Sequence, residues 1–391
     1  MTATNQSCIL FVTSHNPWGT GGGCTATRLY LDAVREIYPD DHIDLCIYSD
    51  FERFIPDEIR QDCNCTIHLA QSRQSFDKLK SLITGQMHRH QRIAENLLDI
   101  HRYRFCFFDK SHIAGTLCRY AHHKSHAPVV TLHHNYEPDY FRYEKVGRIF
   151  KAAFLHHVKR LEKQAFRNSD LNLFLSEDDK TQCEQTYGMP AGQSVVTGLF
   201  EKSHTPPSAP AGSLKGKHLI ITGSLNNLQN LDGVRHFITH IYPVLPDSYR
   251  VTIAGQSPLP EIYRLCSGKK NITIIPSPPD IAALTGDANL FLCTTRVGSG
   301  IKIRITDGLK AGLPVITHSV SARGYGDMLS AGVMKSYTTP EEFINALSDF
   351  ENSISAGELS PEKIQQTYTA VFNRKNGLKR LKDALDSIQK N

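Results

Sequence analysis

Short apolar runs separated by polar, helix-length stretches recur along almost the whole chain. In the first half Ile9–Thr13, Ile43–Tyr48, Phe105–Phe108, Val129–Leu132 and Leu171–Leu175 read as strands. They are apolar runs rather than strict alternations, as expected of strands buried on both faces. Helical spacing predicts a helix over Thr25–Ile37, and residues 74–104 and 142–168 read as longer helices rich in Arg, Lys and His. The segment Glu201–Lys217 (EKSHTPPSAPAGSLKGK) breaks the pattern with Pro, Ser and Gly and reads as a linker. A second set then begins: Leu219–Thr222, Arg250–Ala254, Ile272–Ile275, Leu290–Cys293 and Val315–Thr317. The tail, Pro361–Gln389, reads as one or two helices. Strands alternating with helices predict parallel, doubly wound sheets. The fold class is therefore α/β, with two Rossmann-like domains (1–200 and 218–365) facing across a cleft, a linker at 201–217 and a C-terminal helix at 366–391.

The block Ala288–Gly326 is the most informative. After the strand Leu290–Cys293 comes Gly298-Ser299-Gly300, where the backbone can approach a ligand closely. Apolar residues at 301, 303, 305 and 309 predict a helix from Ile301 to Lys310, stopped by Gly312 and Pro314 before the next strand. A glycine turn opening a helix offers free N–H groups and the positive end of the dipole to a phosphate. Lys302 and Arg304 are poorly placed in a first turn on dipole grounds alone, which points to an anionic partner.

This block, GSGIKIRITDGLKAGLPV, resembles the donor-site motif of the retaining GT-B glycosyltransferases, the large family 4-like group that builds bacterial polysaccharide and lipopolysaccharide. Their pattern is G-x-G-I-x-x-K/R-x-x-E-A-x-x-x-G-x-P-V. The resemblance puts the ribose-binding carboxylate on Asp307 and places Ser299 where many members carry an additional Glu. It implies donor contacts at Gly298, Ser299, Gly300, Ile301 and Arg304, with Lys302 and Asp307 in the catalytic machinery. Gly223-Ser224, followed by Asn230, falls on the loop that meets the distal phosphate in this family. The loop Ile274–Asp280 (IIPSPPD) resembles the one that reads the base edge, which brings in Asp280. The implied reaction moves a sugar from a nucleoside diphosphate donor, UDP-linked, to a saccharide or lipid-linked saccharide with retention. The implied C-terminal helix returns to the N-terminal domain.

Two further segments carry candidates. Val129–Tyr140 reads VVTLHHNYEPDY, and His134-Asn135 with Glu137 matches an H-N-x-E variant of the resembled family. This assigns His134 to the donor sugar and Glu137 to the acceptor. His133 is the alternative, because adjacent side chains on a strand face opposite ways. The loop Asn16–Gly23 carries Trp18, the chain's only tryptophan, and ends in three glycines. The resemblance gives Gly22 and Gly23 to the donor and Trp18 to the acceptor. The run Gly21–Ala26 also fits G-x-G-x-x-A, with Asp50 about where a ribose-binding acid would sit, as in a NAD-dependent dehydrogenase. The residues 14–20 that intervene after the strand argue against that reading. Asp109 and Glu177-Asp178-Asp179 read as surface or capping acids, and Ser176 as a helix N-cap.

Composition bounds these readings. The chain has 391 residues and a formal net charge of +5, a mild excess that fits an anionic substrate or a membrane surface. Nucleic acid is the least favoured partner. There is no apolar run of about 18 residues. The 10 cysteines lack C-x-x-C spacing and read as free thiols of a cytoplasmic protein, with peripheral association at the inner membrane face compatible with the charge. No D-x-D triplet is present, so metal-independent transfer with no cofactor beyond the nucleotide sugar is expected. No G-x-x-x-x-G-K-[ST], G-x-S-x-G or H-E-x-x-H occurs. A nucleotide-sugar epimerase and a non-catalytic sugar-binding module are the competing functions.

Overall fold

In a computed structural model, residues 7–71, 91–143, 147–202 and 214–389 are described. They form two compact units, one comprising residues up to Lys202 together with Arg374 onward, the other Ser203–Asn373. The first unit is built on a seven-stranded sheet of order β3-β2-β1-β4-β5-β6-β7. Its strands are β1 (Cys8–Thr13), β2 (His42–Tyr48), β3 (Cys65–Ala70), β4 (Phe105–Asp109), β5 (Val129–His133), β6 (Leu171–Phe174) and β7 (Gln193–Val196). The second unit holds a six-stranded sheet of order β10-β9-β8-β11-β12-β13. Its strands are β8 (His218–Thr222), β9 (Arg250–Gly255), β10 (Ile272–Pro276), β11 (Leu290–Cys293), β12 (Val315–His318) and β13 (Met334–Tyr337). Every pairing is parallel.

Strand order reverses at β1/β4 in the first sheet and at β8/β11 in the second. Such switch points open a crevice beyond the carboxyl ends of the strands, where α/β proteins bind ligands. Register brings Thr13 directly opposite Asp109 at the first of these. The central strands are fully buried, with Ile9–Val12 and Phe105–Phe108 at 0% exposure, which is why their sequences are apolar throughout. Each predicted strand is present. The edge strands β3 and β13, and β7 at the other edge of the first sheet, are additional. All three are only partly buried, so their sequences mix polar residues and give a weaker signal.

Helix boundaries differ from expectation in informative ways. The first helix spans Gly22–Ile37, so Gly22 and Gly23 open a helix instead of ending a loop. Gly21 supplies the N-cap at φ 110°, a conformation that glycine adopts without strain. Helices at Gln91–Ile100 and Arg148–Asn168 fall within the basic stretches, while residues 74–90 and the linker positions 203–213 lie outside the described residues. The tail divides: Pro361–Val371 belongs to the second unit and Arg374–Ser387 to the first. There Arg374, buried, pairs with Glu36 and donates to the Glu201 carbonyl at 3.0 Å. Gly377 lies so close to Phe200 that a Cβ would sit 2.3 Å from its ring.

The helix Ser111–Lys124 packs on Arg148–Asn168 through Gly115, where a Cβ would lie 2.1 Å from the Leu161 carbonyl oxygen. Helix propensity alone favours Gly115→Ala by about 1 kcal/mol. Backbone contact at that distance cannot be relieved by a rotamer change, so overpacking should dominate. Gly115→Ala is expected to lower stability by about 1–3 kcal/mol, read as a lower urea midpoint; a raised midpoint would refute the close helix contact.

Candidate active site

In the first unit a buried carboxylate gathers the residues at the β1/β4 switch. Asp109, the last residue of β4, is completely buried. The sequence reading as a surface or capping acid is corrected: the strand's apolar run carries this residue into the interior. Its Oδ2 accepts hydrogen bonds from the hydroxyls of Thr13 and Thr27, each at 2.6 Å. Its Oδ1 lies 2.5 Å from Nε2 of His134, which is 4% exposed. A carboxylate accepts only, so His134 carries its proton on Nε2. The same logic reaches His15. Thr27 gives its one proton to Asp109, so its oxygen accepts from His15 Nδ1 at 3.0 Å. The Thr13 oxygen likewise accepts the His15 backbone N–H at 3.0 Å. Neutral His15 therefore presents Nε2 as an acceptor, and its ring meets His134 edge-on at 5.2 Å between centroids.

Gly23 has a packing role here, because a Cβ would lie 2.5 Å from His15 Cε1. Burial opposes ionisation of Asp109, but His134, His15 and the Thr13 hydroxyl outweigh it and hold its pKa well below the usual carboxylate range. Burial and the nearby Lys110 and His134 push His15 well below an ordinary histidine. Lys110 follows at φ 125°, an uncommon conformation for a lysine. Its Nζ lies 3.6 Å from Glu137 Oε1 and 5.5 Å from the centre of the Tyr140 ring. Burial works against the Lys110 charge, yet Glu137, Tyr140 and Asp109 raise its pKa overall.

Glu137, also open to a solvated-loop reading, is 1% exposed and pairs inside the protein. Asp179 is buried too, while Ser176 does cap its helix, accepting from the Asp179 N–H at 3.2 Å. Trp18 is half-buried in a turn where its backbone N–H donates to Asn16 Oδ1 at 3.1 Å. His133 points away from Asp109, stacked on Phe174 at 4.5 Å. The alternation along β5 thus gives the Asp109 side to His134.

In the second unit the loops after β8 and β11 meet. Arg304 donates through Nη1 to Asn230 Oδ1 at 2.7 Å and through Nη2 to Thr295 Oγ1. Its guanidinium passes under Gly223, where a Cβ would lie 2.3 Å from Nη1. Gly298, at φ 86°, approaches the start of the helix Leu228–His236 that follows this loop, since a Cβ there would lie 2.6 Å from Gln229 Oε1. Gly223, Asn230, Gly298 and Arg304 are thus brought together, with Ser224 accepting from Asn230 Nδ2 at 2.9 Å through its carbonyl. Ser299 is buried and Ile301 half-buried beside them.

The predicted helix Ile301–Lys310 begins only at Ile305. Positive φ at Gly298 and Gly300 turns the backbone, and Lys302 folds back to donate to the carbonyls of Ser299 at 2.7 Å and Gly300 at 3.2 Å. Lys302 and Arg304 therefore precede the helix. Asp307 lies exposed in its first turn, not mid-helix, where a carboxylate also complements the dipole. Asp280 caps the helix Ile281–Gly286, accepting from the Ala283 N–H at 2.9 Å.

Residues 216–352 match the family model described as group 1 glycosyl transferases. The matched segment is a group 1 glycosyl transferase domain, and the chain as a whole has the GT-B fold. Its fold is similar to that of HepE from Anabaena in complex with UDP, at 12% identity over 98% of this chain and 100% of that one, TM-score 0.68. It is also similar to the lipopolysaccharide outer core galactosyltransferase WaaB, at 14% identity, 98% and 100% coverage and TM-score 0.62. A glycosyltransferase from Rickettsia africae gives 12% identity, 99% and 100% coverage and TM-score 0.66. No curated protein matches in sequence. The dehydrogenase reading of Gly21–Ala26 falls away, since residues 14–21 separate β1 from its helix and Asp50 lies exposed in the turn Ser49–Phe54. No described helix is long and apolar enough to cross a membrane.

Because His15 is neutral in the folded chain, the unfolded chain binds one more proton once pH falls below about 6.5. Stability from this group is complete above that pH and declines below it. His15→Gln should flatten the fall of unfolding free energy between about pH 6.5 and 5, by up to about 1.4 kcal/mol per pH unit. An unchanged slope in urea titrations would contradict the buried, neutral His15.

Proposed function

We propose that this protein is a glycosyltransferase that moves a hexosyl group from a UDP-sugar to a saccharide or lipid-linked saccharide, with retention and without a metal on the diphosphate. The observation that carries the reading is Arg304, a cation fixed by Asn230 and Thr295 beside Gly223 and the Gly298–Gly300 turn. The chemistry breaks the bond between the sugar's anomeric carbon and the diphosphate oxygen and forms one to an acceptor hydroxyl. Positive charge grows on the sugar and negative charge on the departing diphosphate. Donors fixed before the reaction stabilise the second without reorganising. Arg304 and Lys302 fill that role, and Ser299, Ile301 and the glycines let the backbone approach the phosphates. Asp307 accepts from the ribose hydroxyls, and Asp280 lies on the base-side loop.

The Asp109–His134 pair, anionic when His134 is neutral, opposes the positive charge developing on the sugar and orients its hydroxyls. Gly22 and Gly23 leave room for the donor, and Trp18 and Glu137 belong to the acceptor side. UDP in the similar HepE structure supports the choice of base. Ten free thiols fit a reducing compartment, and the net charge of +5 fits work near an anionic membrane face.

Lys302→Ala should cut turnover by about 10²–10³-fold while the thermal midpoint is kept. Calorimetry with UDP, GDP, CDP and ADP should single out UDP, and Asp307→Ala should weaken it by roughly tenfold or more. Unchanged turnover in Lys302→Ala would sink the phosphate assignment. UDP release in the absence of any acceptor would favour epimerisation over transfer.

A further inference from the structure

Beneath the end of β5, on the side away from Asp109, a second polar group is sealed in the core. His133 is 1% exposed, and Glu162 and Cys183 are at 0%. They sit with Phe166, Phe174 and Tyr187 in an aromatic cluster. A ring nitrogen of His133, a carboxylate oxygen of Glu162 and the sulfur of Cys183 all lie within 4.8 Å of one another.

The hydrogen bonds around the group fix its chemistry. Asn172 donates through Nδ2 to the carbonyls of Phe166 at 3.1 Å and Gln193 at 3.5 Å, so its Oδ1 is an acceptor. That oxygen lies 2.9 Å from His133 Nε2, which therefore carries the proton. His133 Nδ1 is left with a lone pair, fully buried and without a hydrogen-bond partner. Glu162 accepts from the Glu137 N–H at 2.9 Å and from the Tyr187 hydroxyl at 2.8 Å, one bond on each oxygen, and each keeps a further lone pair.

We propose that His133, Glu162 and Cys183 form a buried site for a zinc-class divalent cation. A lone-pair imidazole, a carboxylate and a sulfur are the ligand types of zinc, and calcium or magnesium would not take the sulfur. The surroundings match what metal ligands need: the histidine's other nitrogen is bonded to Asn172, and the carboxylate is held by Glu137 and Tyr187. Binding releases the Cys183 proton, so affinity rises with pH. The ion would tie the end of β5 to the helices Arg148–Asn168 and Glu177–Tyr187, and so fix the backbone that carries His134. It takes no part in bond making.

The test uses the full chain purified without a metal-affinity step. Metal analysis should find stoichiometric zinc. Replacement by cobalt should give a thiolate-to-cobalt band in the near ultraviolet, absent in Cys183→Ala. A chain that holds no zinc after equilibration with it overturns the proposal. So does bound cobalt without a thiolate band, which would place the ion on other groups such as His15, Asp109 and His134. Both readouts on the unmutated chain stand even if Cys183→Ala fails to fold.

Discussion

A single carboxylate charge, Asp109 at the end of β4, organises the first unit's candidate site. A buried ion is tolerated only when its oxygens are bonded, and losing one partner of such a pair costs about 3–5 kcal/mol. The demand is met from three elements: Thr13 on β1, Thr27 on the first helix, and His134 after β5. Because each hydroxyl has one proton to give, both threonines then turn an oxygen toward His15. The protonation pattern of two imidazoles thus follows from where one charge must find donors.

The second unit shows the same logic with the sign reversed. There the fixed group is a cation, Arg304, and oxygens of Asn230 and Thr295 are arranged around it. Space is kept by glycine: Gly223 and Gly298 each stand where a Cβ would strike a side chain, that of Arg304 and of Gln229 respectively. Two of the groups that hold the positive charge are neutral oxygens, an amide and a hydroxyl, rather than carboxylates.

Much of this was legible in the sequence. Central strands could be read because burial on both faces leaves an apolar run, and the Gly298–Pro314 block because its glycines and cations have few other reasons to coincide. Asp109 was not legible as a centre, since a lone acid after a strand looks like a cap, and its meaning comes from Thr13 lying opposite it in register. The helix after Gly300 was overextended because Ile301 and Ile303 keep helical spacing, whereas backbone conformation at two glycines delays the first turn to Ile305. The partners of His133 come from elements distant in sequence, so no local pattern announces them.

The division of the tail has a consequence for how the chain is made. The first unit is interrupted: its sheet lies before Lys202, but its last helix, Arg374–Ser387, follows the whole second unit. In topological terms the second unit is an insertion into the first. During synthesis the second unit can close while the first still lacks Arg374 for Glu36 and Gly377 for Phe200. The amino-terminal half of this protein is therefore the last part to be finished, and loss of the final twenty or so residues injures the half that was made first.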